Sequence, residues 1–209
     1  MTRTLLSDKK GQVHTLEAAF SAILLLSAVV FALQVTAVTP LTSSTSSQQI
    51  QSQQAATVNG FLSSSAERDI LKTPALMWDE TDKKWHNTDQ TGLYSSGPIG
   101  TEFGDQLNNT FTDWGVAVNV DIGYYTAPDA SGDREQNWEP MVRMGTPSEN
   151  AVSGRYIVTL YDDDVLSDAS GDPIPAAPLS GASDFYASDT DPDTDLFNVL
   201  TVRVTAWRI

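Results

Sequence analysis

The residues whose type and spacing could do chemistry are acidic. Asp189, Asp191, Asp193 and Asp195 place a carboxylate at every second position, as the first half of a calcium-binding loop does. A hard cation takes oxygen ligands, so these four are the candidate metal ligands. The rest of the pattern is missing: Thr194 stands at the sixth position where glycine is required, Pro192 stiffens the middle, and Leu200 replaces the closing bidentate glutamate. Hydrated acidic loops are therefore preferred to calcium ligation. Asp162, Asp163 and Asp164, with Asp168 and Asp172, form a second acidic cluster. The pentapeptide Asp-Ala-Ser-Gly-Asp occurs at 129–133 and again at 168–172, in turn-prone sequence too short to establish a structural repeat.

Other chemistries find no residues to carry them. The chain has no cysteine, which excludes disulfides, thiolate catalysis and a cysteine-based zinc site. Its two histidines, His14 and His86, are far apart in sequence. There is no G-x-S-x-G elbow, phosphate-cradling glycine loop or H-E-x-x-H. Paired carboxylates could serve glycoside hydrolysis, but 20 aspartates make neighbouring acids unavoidable. The expectation is a protein that is not an enzyme and carries no cofactor.

Charge narrows the partners. Asp and Glu number 27 against 12 Lys and Arg, a formal net charge of -15. Phosphate binding needs a basic face, so nucleic acid is not expected as a partner. An acidic, lysine-poor surface suits solvation at high salt, where repulsion between carboxylates is screened within a few ångströms.

The element that must position everything else is apolar. No charged residue occurs from Ala18 to Val38, and at 1.5 Å per residue that run matches the roughly 30 Å of a bilayer core. It is longer than the apolar part of a removable secretory signal, and 35–40 offers no convincing cleavage site. Arg3, Lys9 and Lys10 lie before it, which predicts a cytoplasmic N-terminus and an acidic body outside. A membrane helix with the lipid bilayer as partner is expected. Glu17 at its start is favoured by the helix macrodipole and can still reach the interface. Helices would pack on one another through small residues, Ala18 and Ala22 among them.

A short basic leader, Gly11, Gln12, the nearby Glu17 and about twenty apolar residues together resemble the type III signal of archaeal type IV pilin-like proteins. The stretch from Gly11 to Leu41 also resembles a poorly characterised family of haloarchaeal, single-pass, pilin-like surface proteins. The resemblance implies that a prepilin-type peptidase cuts between Gly11 and Gln12 on the cytoplasmic side. The apolar helix would stay on the mature subunit, assembling with other pilin-like subunits. Glu17 would then be the sixth mature residue, one place beyond the usual pilin glutamate. The alternative is an anchored envelope adhesin or binding module that never polymerises.

The expected organisation is a leader at 1–11, a transmembrane or filament-core helix at 12–40, a Ser/Gln-rich stalk and amphipathic helix at 41–73, and an extracellular β-rich head at 74–209. Pro40 should break or kink the first helix. Residues 42–54 fit a disordered stalk and a helix equally. Val58, Leu62, Ala66 and Ile70 recur at a four-residue step with Phe61 beside them, an amphipathic helix that Thr73-Pro74 should stop. Strands are expected over 114–124, 155–161 and 197–207, with a weaker one over 138–144. The predicted fold class is α+β, a long helix packed on a mostly antiparallel sheet, and truncation of the last strand should be destabilising. The five tryptophans are read as core and rim packing. Asn108-Asn109-Thr110 is a glycosylation sequon, expected on an exported loop.

Overall fold

The computed structural model describes the backbone of residues 5–98 and 100–208, and the side chains of 13–34, 48–98 and 100–208. The chain divides into two compact units, Met1–Ile50 and Gln51–Ile209. One helix, α1 (Leu5–Glu67), contributes to both. The fold class is α+β, as the residue patterns predict. The side chain of Pro40, where a kink was expected, lies outside the described residues, and the stretch 48–54 is helical.

In the first unit the described side chains all lie on α1, and every residue from 13 to 34 is exposed. Val13–Gln34 is long and apolar enough to cross a membrane.

In the second unit α1 turns amphipathic, with Val58, Phe61 and Leu62 buried. It stops at Glu67, well before Pro74. Asp69 adopts a left-handed backbone (φ 59) and the Ile70 N–H reaches back to the Ser65 carbonyl at 2.9 Å, a Schellman closure. Thr73-Pro74 does not end this helix but lies inside the next, α2 (Lys72–Leu76), where the first turn has no N–H partner to lose.

Two short strands follow, β1 (Trp78–Asp79) and β2 (Lys84–Trp85), then α3 (Glu102–Thr110). The main sheet uses β3 (Val116–Tyr125), β4 (Gln136–Arg143), β5 (Val152–Tyr161) and β8 (Leu196–Arg208). All its pairings are antiparallel and its order is β4-β3-β8-β5. A hairpin of β6 (Val165–Ser167) and β7 (Pro173–Pro178) lies between β5 and β8 in sequence. All four strands expected from alternation are present. The four short ones were not expected, because two to six residues give no usable period.

Alternation sorts the main sheet into two faces. One carries Val118, Val120 and Ile122 of β3 and Leu200, Val202, Val204 and Ala206 of β8, all buried in one core with Val58, Phe61 and Leu62 of α1 and Phe103 and Leu107 of α3. Phe61 meets Phe103 and Phe111 with ring centroids 5.3 Å apart. Full burial of such a side chain is worth about 1.5–3 kcal/mol. A second aromatic group, Trp78, Trp85, Tyr124, Phe185 and Tyr186, extends that core. Three tryptophans are buried as expected (Trp78, Trp85 and Trp207), Trp138 is half-buried, and Trp114 is 78% exposed.

Polar side chains complete the core. Asn198, fully buried at the start of β8, donates to the Tyr125 and Ser188 carbonyls (2.8 and 2.7 Å) and accepts from the Tyr125 N–H (3.1 Å). Buried Ser65 of α1 donates to Gln106 of α3 at 3.0 Å. Helix and sheet approach closely at Gly154, where a Cβ would stand 2.7 Å from both Val58 Cγ1 and Asn59 Oδ1. Replacing Gly154 with Val is expected to cost roughly 1–3 kcal/mol by overpacking, read as a fall in the thermal midpoint of about 2–4 °C per kcal/mol. Asn198→Ala should cost about 1–3 kcal/mol, because it removes the partner of the Tyr125 N–H and of two carbonyls together.

Candidate functional site

The candidate residues belong to two units: one set lies on the apolar part of α1, the other in the head. On α1, Glu17, Ala18 and Ala22 are exposed. Ala18 and Ala22, four residues apart, share one helix face. His14 Nδ1 lies 3.7 Å from Glu17 Oε2, an exposed pair three residues apart. The side chains of Gly11 and Gln12 lie outside the described residues. Val13, Leu16, Phe20, Ile23, Leu24, Leu25, Leu26, Val29, Val30, Phe31 and Leu33 are each between 48 and 71% exposed, so the run is apolar on all sides. Apolarity all round is the signature of a helix surrounded by lipid or by other helices.

In the head, the run from Asp189 to Asp195 forms a tight turn before β8. Asp189 Oδ1 accepts from the Asp191 N–H at 2.9 Å, and the Asp191 carbonyl accepts from the Thr194 N–H at 2.9 Å. Among the described residues no group of three or more His, Asp or Glu is placed to hold a metal ion. Asp162 instead joins Asp189 and Asp195, because its N–H donates to the Asp195 carbonyl at 3.0 Å where β5 ends and β8 begins. Oδ1 of Asp162 is buried with no hydrogen-bond partner. Loss of solvent, then the charges of Asp189, Asp195 and Asp163, push the Asp162 carboxyl above the usual aspartate range.

The repeated pentapeptide proves to be one turn built twice. Asp129 Oδ1 accepts from the N–H groups of Ser131 (2.7 Å) and Asp133 (3.0 Å), and Asp168 Oδ1 from those of Ser170 (2.7 Å) and Asp172 (3.1 Å). In each copy the glycine N–H closes on the first aspartate's carbonyl at 3.0 Å, with φ 84 at Gly132 and φ 81 at Gly171. The first copy joins β3 to β4 and the second joins β6 to β7. Aspartate supplies the local acceptor and glycine the left-handed residue, so these acids serve turn geometry.

Asn108 is in the last turn of α3 and accepts from Thr112 Oγ1 at 3.3 Å, so the sequon lies on a helix, not a loop. Burial also pushes up the ionisations of Glu139, Tyr124 and Tyr186, which stand together under the sheet. Tyr186 Oη donates to the Ala75 carbonyl at 3.0 Å, the partner expected of a packed tyrosine. Sequence reasoning passed over this trio because the three positions share no local pattern.

The turn and the acid cluster make separate predictions. Asp168→Ala should destabilise the head by roughly 1 kcal/mol while Asp168→Asn, which keeps the acceptor, is nearly silent in denaturant melts. For Asp162, a raised folded-state value means that the folded chain holds this proton to higher pH than the unfolded chain. Its favourable contribution is full below the ordinary aspartate value and is lost as pH rises through the folded one. Asp162→Asn should therefore be more stable than the parent near neutral pH, the gap closing in acid, as followed by melting from pH 3 to 8.

Comparison with known proteins adds a family without a role. Residues 10–206 match a family described as of unknown function (DUF7288). No curated protein and no solved structure matches the chain.

Proposed function

The chain belongs to this family of unknown function, and we propose that it is a non-enzymatic, membrane-anchored surface protein of type IV pilin-like design. One observation carries the reading: Val13–Gln34, 22 residues long, is apolar and exposed throughout. A surface of that kind is stable only in lipid or against other helices. In this reading the basic residues ahead of it hold the leader in the cytoplasm and the acidic head stands outside. Cleavage between Gly11 and Gln12 leaves the helix on the mature subunit, free to exchange lipid contacts for those of neighbouring helices.

Chemistry at the cleavage point and packing along the helix belong to different residues. Gly11 and Gln12 meet the peptidase. Ala18 and Ala22 allow close approach of a neighbouring helix, and Glu17 is the charge available to a cationic partner once the helix leaves the bilayer. The head's acidic surface keeps it hydrated in concentrated salt.

Mass spectrometry of the native protein tests this reading. A mature N-terminus at Gln12, shifting to the unprocessed form in Gly11→Val, is the expected result. An N-terminus intact at Met1 overturns the processed-subunit reading in favour of a permanent anchor. Recovery of the Gln12 form in sheared filaments separates a polymerising subunit from an anchored adhesin.

A further inference from the structure

The sheet face turned away from α1 is where this acidic protein concentrates positive charge. Register places Pro140, Asp121, Arg203 and Arg155 in one cross-strand row. Trp138, Gly123, Thr201 and Ile157 form the adjacent row, and Arg143 lies opposite Asn119 one row the other way. Three of the chain's seven arginines are therefore on one face.

A single carboxylate answers them. Asp121, 4% exposed, accepts from Arg203 Nη2 at 2.9 Å and Nε at 3.2 Å, and its other oxygen accepts from Arg143. Arg155 stands directly opposite Arg203, a like-charge pairing that sheets disfavour, and makes no ion pair among the described residues. Its contact is with the Trp138 ring, 5.7 Å from the guanidinium, on which Arg203 also lies at 3.9 Å. Trp138 rests on Gly123, whose missing side chain leaves room for the ring. Beside these, Ile157 is 64% exposed and Tyr125 37%. Arginine, tryptophan, tyrosine and an exposed aliphatic on a rigid sheet form the composition of an interface core.

The complementary charge is on the same molecule but out of its own reach. Asp162 follows the last residue of β5, seven residues beyond Arg155 and thus roughly 20 Å away along the strand. That exceeds the screening length of about 8 Å at physiological salt, so neither group relieves the other within one copy. The cluster of Asp162, Asp163, Asp189 and Asp195 is self-repelling, and Asp163 and Asp195 are exposed.

We propose that the Trp138–Arg155–Arg203 face docks the acidic end of the sheet, around Asp162 and Asp163, of a second copy of this chain. The two surfaces are different patches, so the contact is heterologous and repeats head to tail without closing a dimer. Guanidinium–carboxylate pairs made at contact persist where longer-range attraction is screened. This docking is a property of the head and does not require the leader to be cut.

A cysteine-free chain makes the test direct. Full-length copies carrying Ile157→Cys are mixed in detergent with copies carrying Ser180→Cys, an exposed site whose N–H binds the Asp162 carbonyl at 3.2 Å, and a short bis-maleimide is added. A crosslink between 157 and 180 is expected. It is lost when both copies carry Arg155→Glu, and lost again when both carry Asp163→Arg. It returns when the Ile157→Cys copy carries Arg155→Glu and the Ser180→Cys copy carries Asp163→Arg. Arg155→Gln, with folding followed by circular dichroism, guards against a misfolded charge reversal and should also lose the crosslink. No crosslink, or one indifferent to these changes, overturns the proposal. Retention of the protein on polygalacturonate that depends on Arg155, without the 157–180 crosslink, overturns it in favour of an acidic glycan. N-terminal processing can succeed or fail independently of either outcome.

Discussion

The head depends on the two-residue alternation of β8, which is hydrogen-bonded on both sides, to β3 and to β5. Leu200, Val202, Val204 and Ala206 all point to the helix-covered core, while Thr201, Arg203 and Thr205 point away. A register slip of one residue would send Arg203 into the apolar core and strand Asp121. The ion pairs on one face and the apolar packing on the other therefore enforce the same register. Removing either partner of a buried pair is costly chiefly because of the charge left behind, which makes Asp121 a register lock as well as a neutraliser.

The same physics separates the two units. In the head, α1 finds a sheet, and only its Val58–Leu62 stripe needs to be apolar. In the first unit, the described part of α1 is apolar in every direction, a pattern that no single packed surface explains. Two sections of α1 thus carry different surfaces, apolar on every side over 13–34 and on one side at Val58–Leu62.

What the residues disclosed in advance follows from local period. The 21-residue uncharged run and the alternating strands could be read directly, because each repeats its signal over many turns or pleats. The helix end was misplaced because Asp69, not a glycine, took the left-handed cap, while Pro74 found a harmless place in a first turn. The acidic loops hold a contact of another kind: Asp162 is brought to Asp195 by a backbone hydrogen bond that no spacing rule contains. Likewise Arg143, Arg155 and Arg203 meet only through sheet register, a non-local fact.

The position of β8 in the chain has a kinetic consequence. The turns at 129–133 and 168–172 join neighbouring strands, so the β3–β4 and β6–β7 hairpins can close locally within microseconds. The pairings of β3 and β5 must wait until residues 196–208 have been synthesised, and they close much longer loops. Until then β3 and β5 each present an unsatisfied edge rich in valine, isoleucine and tyrosine. A nascent head is thus most vulnerable to mispairing just before β8 arrives.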